Sequence, residues 1–546
     1  MIIGIDFGTC FSSIAVMQGL LPMDNITDKV EQHLGSAAMG IPSLFMYSKD
    51  LKKELYGIEC LSANPRENPE VIKYMKKKVR EDPDNIDKPC PSGGNEYLLR
   101  DVIEKYVAYL IKSAKDAAIA NGNFSNTDIE AMTITTPIGI AKGQMMASDY
   151  NRLIKETMVN ITGLSDDDVH IVGEPVAAAI SYIYEEDLKK KVNDDQIILV
   201  FDLGGGTLDV TVVKHDPHAM EYEILDKEGD LELGGKDWDD ALGRLILEKL
   251  GIDRIDSDSE RGAFWDMITE LKIGLSDKDV DVKLINIEGK SHIVQCSRQE
   301  FEDATTELIN RSALIVKKAV ESLEGGINSI DKIVLVGGSS NMPQIGKMIR
   351  EQFPSFDESN ILLYKPSKAI ARGAAILAKI SYNADGMGLP VKPHVVDSTT
   401  NTYGFRALHH DVEEAIYNGI IKGTKFGDNH RITFKSSEFT AVDNNQKTIR
   451  YDIYESQWKG PNSVVGNSKD NNQYADQDDD EKRWMNLGNG EVRNGMSVTI
   501  QIPPEYLGRA RSYSTHVIFD LDQDGILEIT IVDKDGNKIG YTTNNN

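Results

Sequence analysis

Hydrophobic positions change their period along this chain, and the change divides it. Up to about residue 383, short apolar runs at Ile2 to Ile5, Ala131 to Thr135, Ile197 to Phe201 and Lys332 to Val336 read as strands buried on both faces. Between them Val102, Ile103, Tyr106, Val107, Leu110, Ile111 and Ala114 recur at helical spacing, with Asp101 and Glu104 as a start signal and Gly122 as a stop. Strands alternating with amphipathic helices predict an α/β architecture in which helices cover the sheets. From about residue 395 the period becomes two. Ile432 and Phe434, then Ile449, Tyr451 and Ile453, then Val498, Ile500 and Ile502 alternate with polar residues. This predicts a half-buried antiparallel sheet with hairpin turns at Asp524-Gly525 and Asp535-Gly536.

The segment Asn383 to Pro393, rich in Gly and Pro, reads as a linker, so the expected domains are 1–383, a linker at 384–394 and an all-β domain at 395–546. Lys459 to Gly490 carries the acidic run Asp478-Asp479-Asp480-Glu481 among many Asn and Gly. It is expected to be a solvated loop inserted in the β domain.

Charge and composition narrow the partners. Lys and Arg total 60 against 87 for Asp and Glu, a net charge of -27, which argues against a general attraction to nucleic acid or to an anionic membrane. Met1 leads directly into Ile2-Ile3-Gly4-Ile5-Asp6 with no basic leader, and no apolar run reaches the ~18–20 residues of a membrane-spanning helix. Cys10, Cys60, Cys90 and Cys296 are too scattered for a CxxC site and too few for a disulfide framework. A reducing, cytoplasmic setting is the expectation.

Two segments share one plan: an apolar strand, an Asp at its end, glycines, then Thr. They are Ile3-Gly-Ile-Asp6-Phe-Gly8-Thr9 and Leu199-Val-Phe-Asp202-Leu-Gly204-Gly205-Gly206-Thr207. Glycines permit tight turns and let backbone N–H groups approach phosphate oxygens, and Thr adds a hydroxyl donor. An Asp at the strand end can hold Mg²⁺, usually through water, because that ion dehydrates reluctantly. The repetition suggests two related lobes gripping a triphosphate. A third element, Val334-Leu-Val-Gly337-Gly338-Ser339-Ser340-Asn341-Met342-Pro343, ends a strand and opens a helix through Ile345 and Met348, which suits a nucleoside lying close to backbone. Asp520-Leu-Asp522-Gln-Asp524-Gly525 opens like a calcium loop, but Ile531 stands where the closing Glu is needed and the flanks alternate as strands. No histidine spacing suggests a metal, and His409-His410 reads as surface.

With these loops stand Ile171-Val-Gly-Glu174-Pro175-Val-Ala-Ala-Ala, Gly229-Asp-Leu-Glu-Leu-Gly234-Gly235-Lys-Asp237-Trp-Asp239, Ala371-Arg-Gly373-Ala-Ala and, in the tail, Val517-Ile-Phe-Asp-Leu-Asp-Gln-Asp-Gly525-Ile-Leu-Glu-Ile. In this order they resemble the seventy-kilodalton heat-shock chaperones of the DnaK type, within the actin and sugar-kinase superfold. The resemblance implies a two-lobed actin-like ATPase domain with ribonuclease H-like lobes, followed by a β-sandwich that binds substrate.

It also implies a set of residue roles. Asp6 and Asp202 would orient hydrated Mg²⁺, while Gly8, Thr9, Cys10, Gly204, Gly205, Gly206 and Thr207 would hold the phosphates of ATP or ADP. Glu174 would assist the metal and water network. From the run Lys76-Lys77-Lys78, Lys76 would reach the γ-phosphate and attacking water. Gly235, Lys272, Ser276, Gly337, Gly338 and Ser339 would be nucleoside contacts, and Pro137 a gate between domains. Phosphoryl transfer needs mainly positioning and charge neutralisation, so these residue types suffice without a nucleophilic side chain.

Several positions depart from the family pattern. Cys10 replaces a second loop Thr, a weaker donor that predicts slow hydrolysis, and Asn341 stands where an Arg often stacks on adenine. The linker reads Gly388-Leu-Pro-Val-Lys-Pro-His-Val-Val-Asp397 in place of an acidic-leucine motif, and a helical lid is not expected before Asn546. The function implied is an ATP-dependent chaperone-like protein that couples nucleotide state to the binding of extended or unfolded peptides, with a J-domain protein and a nucleotide-exchange factor as further partners. The alternative is an ATP-gated scaffold or co-chaperone for one dedicated protein.

Overall fold

The computed structural model describes residues 1–23, 40–63, 68, 70–81, 83–120, 127–137, 146–189, 194–321, 323, 325–383, 389, 393–409, 413–427, 430–456, 458, 480–486 and 492–542. It separates into two compact units. The first holds residues 1–79, 83–138 and 157–395, and the second holds 80–82, 139–156 and 396–546.

The first unit contains two six-stranded sheets built on one plan. In one, Ile2–Asp6 runs antiparallel to Phe11–Gln18 and parallel to Ala131–Thr136, which in turn is parallel to Val169–Gly173. In the other, Gln196–Leu203 runs antiparallel to Leu208–Asp216 and parallel to Lys332–Val336. Each Asp-bearing strand therefore has an antiparallel partner beyond its glycine turn and a parallel partner on its other side. That is the structural form of the sequence repeat.

These central strands are apolar on both faces because helices cover them. Glu174–Leu188 and Ala369–Asn383 pack together in a cluster with residues of both sheets, including Ile2, Ala131, Val200 and Val334. Their approach requires glycine: a Cβ at Gly373 would overlap the Ala177 carbonyl, and one at Gly4 would overlap the backbone of Ala375. The helix read around Val102 to Ala114 is Leu99–Ala120, while its stop, Gly122, lies outside the described residues. At the far edge of the second sheet, His394–Val396 pairs beside Glu221–Asp230, with the His394 N–H on the Met220 carbonyl at 3.0 Å. Leu389 and Val395 pack on the same apolar cluster. The end of the linker segment is thus a strand, although residues 384–388 and 390–392 lie outside the described set.

The second unit holds two five-stranded antiparallel sheets. One is ordered Trp484–Asn486, Glu413–Ile420, Thr402–His409, Thr448–Ser456, Val492–Gln501. The other is built from Arg431–Lys435, Ser514–Asp522, Leu527–Asp533 and Lys538–Thr542, with Phe439–Thr440 against Ser514–Asp522. Period-two burial puts Val517, Phe519 and Leu521 inside, and the rings of Phe405, Phe439, Tyr451 and Phe519 meet there. Gly525 and Gly536 take the left-handed conformations (φ 73° and 87°) that the two hairpin turns require.

Two readings of this region change. Of the stretch expected to be irregular, residues 459–479 and 487–490 lie outside the described residues, but Trp484–Asn486 is a strand paired to Glu413–Ile420. Three residues are too few to show a period. His409 is buried with its ring on Trp484 (centroids 4.6 Å apart), so the unit closes over it; His410 lies outside the described residues.

Candidate functional site

Both Asp-ended strands of the first unit deliver their glycine turns to one place. In the second turn the Gly204 N–H donates to the Thr207 carbonyl at 3.0 Å, and the N–H groups of Gly235 and Lys236 donate to Gly204 and Gly205, both at 2.9 Å. This docks the start of the helix Gly235–Leu250 onto the turn. A Cβ at Gly234 would overlap the Gly206 backbone, so only glycine allows that approach. The first turn faces the second. The Cβ position of Gly205 lies 3.7 Å from Cys10 Sγ, and that of Gly206 lies 3.6 Å from Thr9 Oγ1.

Behind the turns lies a buried group of charges. Asp202 sits opposite Asp209 in the strand register, and both are almost fully buried. The chain turns through a left-handed residue, Tyr74 (φ 57°), and starts the short helix Met75–Glu81, from which Lys76 points inward and donates to Glu174 Oε1. Lys76 is buried, Lys77 is exposed and Lys78 is half-buried. Burial, followed by the charge of Glu174, raises the Asp6 carboxyl to about 7 against the opposing pull of Lys76. Burial and the charges of Glu174, Asp209 and Asp6 push Asp202 well above the ordinary carboxylate range. Asp202 Oδ1 is buried without a hydrogen-bond partner.

Asp6, Asp202 and Glu174 near one ammonium group, with Asp209 beside Asp202, make a site short of positive charge, which fits a divalent cation. Among the described residues no three His, Cys, Asp or Glu side chains are arranged to chelate a metal directly. An ion held through water and phosphate oxygens suits Asp6 and Asp202 better, as Mg²⁺ chemistry favours.

The third glycine element meets the same turns. Gly337 has φ 80°, and a Cβ there would overlap the Leu203 carbonyl and Asp202 Oδ1. Ser339 Oγ donates to the Gly204 carbonyl at 3.0 Å. Lys272 Nζ donates to the Gly235 carbonyl at 2.8 Å and pairs with Asp239 at 2.9 Å. Ser276 is one turn further along the helix of Lys272, its hydroxyl 3.4 Å from the Lys272 carbonyl. Asn341 folds back on its own turn, with Nδ2 on the Gly338 carbonyl at 2.8 Å, and Gly338 itself has open space around its Cβ position. Pro137 directly follows the Ala131–Thr136 strand and is half-buried.

Asp209 is the residue that motif reading leaves out, and the pairing of Lys272 with Asp239 is equally unmarked in the sequence. A carboxylate between Leu208 and Val210, in the fully buried first half of the strand Leu208–Asp216, is the signal that marks Asp209. Also unforeseen is Arg372 of the Ala371-Arg-Gly373 motif, buried against Glu185 and donating to the Pro22 carbonyl at 3.1 Å.

Comparison with known proteins points to one family. The family described as "Hsp70 protein" matches residues 147–467, more than half of the chain. A chaperone protein dnaK of Emiliania huxleyi is 25% identical over 98% of this chain and 78% of its own length. Chaperone protein DnaK of Trichormus variabilis is 26% identical over 98% of this chain and 70% of the relative. That of Methanothermobacter thermautotrophicus is 29% identical over 69% of this chain and 59% of the relative.

Proposed function

The chain belongs to the Hsp70 family, and from that premise we propose that it runs an ATP-dependent chaperone cycle in which nucleotide bound by the first unit sets how the second unit holds an extended segment of a client protein. As a member of that family it binds ATP and ADP with Mg²⁺ and hydrolyses ATP. The observation that carries the reading is the face-to-face placement of the two glycine turns, Thr9 beside Gly206 and Cys10 beside Gly205, over the half-buried Asp6 and the buried Asp202, Glu174 and Lys76.

That placement supports the following assignment of residue roles. Thr9, Cys10, Gly204, Gly205, Gly206 and Thr207 line the phosphates, and Gly235, Lys272, Ser276, Gly337, Gly338 and Ser339 form the nucleoside end. Lys76, oriented by its bond to Glu174, directs its ammonium group toward the terminal phosphate and the attacking water. Asp6 and Asp202 would hold hydrated Mg²⁺, which would supply charge neutralisation at the phosphates. Residues 1–383 act as the ATPase domain, 384–394 as the linker and 395–546 as the client-binding domain. J-domain and nucleotide-exchange partners complete the cycle. Among the described residues, no helix is long and apolar enough to cross a membrane, and the proposed setting is the cytoplasm.

Client binding and nucleotide binding must be reciprocally linked if the cycle is right. Adding ATP to the full chain holding a fluorescent unfolded-client peptide should speed peptide release, read as a fall in anisotropy. Unchanged anisotropy, with nucleotide still bound, would reject the chaperone cycle in favour of an ATP-gated scaffold for one partner.

A further inference from the structure

Gly8 of the first phosphate turn is held by two serines to which nothing above assigns a role. Its N–H donates to Ser12 Oγ at 3.2 Å, and its carbonyl accepts from Ser43 Oγ at 2.8 Å. The two hydroxyl oxygens are 2.9 Å apart, and each serine is only 1% exposed. A hydroxyl has one proton to donate. The Ser43 proton lies on the Gly8 carbonyl, so the bond between the serines is made by the Ser12 proton, donated to Ser43 Oγ. The donors then run from the Gly8 N–H to Ser12, from Ser12 to Ser43, and from Ser43 back to the Gly8 carbonyl. This is a closed circuit around one residue.

The circuit is braced on two sides. Ser43 grips the turn again through its backbone N–H, which donates to the Cys10 carbonyl at 2.8 Å. Tyr106, fully buried with its hydroxyl against both serines, donates to the Pro42 carbonyl at 2.9 Å. The Gly8–Thr9 peptide is trans, and in a trans peptide the carbonyl and the following N–H point in opposite directions. With the Gly8 carbonyl turned onto Ser43, the Thr9 N–H faces the other way, out of the serine layer. The same bonds take the Gly8 N–H out of the set of donors open to a ligand.

We propose that Ser43, acting with Ser12, is a positioning residue for the nucleotide. It does not touch phosphate; it fixes the plane of the Gly8–Thr9 peptide so that the Thr9 N–H is aimed at a phosphate oxygen before the ligand arrives. Preorientation of this kind stabilises charge without reorganisation during the reaction. The inference rests on the nucleotide reading of the two turns.

The test uses the full chain with Ser43→Ala, Ser12→Ala and the double substitution, measuring single-turnover ATP hydrolysis and the affinities for MgATP and AMP. Each single substitution should slow hydrolysis about 10-fold and weaken MgATP more than AMP, because the terminal phosphates lose an aimed donor. Opening the circuit at one point already frees the peptide, so the double variant should lie within about 3-fold of the singles. A purely structural role would weaken MgATP and AMP alike. If Ser43→Ala fails to fold, Ser12→Ala carries the same expectations alone. Hydrolysis at the wild-type rate, or losses that multiply in the double variant, would overturn the positioning role. A wild-type chain that binds no MgATP would instead overturn the nucleotide reading beneath it.

Discussion

Lys76 donates to Glu174 across 98 residues of sequence, and both side chains are buried at the foot of the glycine turns. A buried pair of this kind is costly to break from one side, because the remaining charge keeps its desolvation penalty without its partner. Lys76→Ala should therefore slow single-turnover ATP hydrolysis at least ~10-fold and also lower the melting temperature of the nucleotide-free chain. Turnover equal to wild type would remove Lys76 from the reaction.

Asp202 behaves in the opposite sense. Its carboxylate is buried among Glu174, Asp209 and Asp6, so neutralising it relieves repulsion in the empty site while removing a group needed when cation and phosphate are bound. For Asp202→Asn we expect a melting temperature at or above wild type without nucleotide, a smaller rise on adding MgATP, and hydrolysis at least ~10-fold slower. A fall in the nucleotide-free melting temperature, with an unchanged response to MgATP, would show that Asp202 serves packing.

The strand ends that carry Asp6 and Asp202 are legible in the sequence because everything that makes them a site is local: an apolar run, a carboxylate, glycines and Thr within a few residues. The hairpins at Gly525 and Gly536 are legible for the same reason, since a left-handed turn residue announces itself. Long-range pairings leave no such mark. Nothing near Lys76 identifies Glu174, nothing near Gly8 identifies Ser43, and the run Lys76-Lys77-Lys78 offers three equal lysines until the helix phase buries the first and leaves the second exposed. His409 looks like surface beside His410 because its covering ring, Trp484, comes 75 residues later on a strand of only three residues.

Gly234 tests the docking of the second turn directly. Its backbone lies so close to Gly206 that a methyl group has no room, and the obstructing atoms are backbone that cannot swing aside. Gly234→Ala should push the helix Gly235–Leu250 off the turn and disturb the bonds from Gly235 and Lys236 to Gly204 and Gly205. MgATP affinity should fall at least ~10-fold, more than expected from loss of any single side-chain contact, as measured by titration with a fluorescent nucleotide. Affinity within a factor of two of wild type would mean that the turn adapts without cost.

In the second unit Asp522 gives a pH dependence with a defined sign. Its carboxyl is pushed up to about 6, first by burial and then by the neighbouring Asp524, against the lowering effects of the Ile526 N–H, Lys155 and Arg431. The ordinary value is near 3.8, so the folded chain holds this proton more tightly than the unfolded chain. The stabilisation that results is fully present below about pH 4 and is lost as pH rises through about 6. Asp522→Asn removes the titration while keeping an acceptor for the Ile526 N–H, which Asp522 Oδ1 now binds at 2.9 Å. The variant should match wild type near pH 4 and exceed it by about 1 kcal/mol near pH 7, a figure reduced because the side chain keeps some contact with solvent. Thermal unfolding of the full chain at the two pH values measures the difference, and an Asn variant offset equally at both would show that Asp522 titrates as an ordinary surface carboxylate.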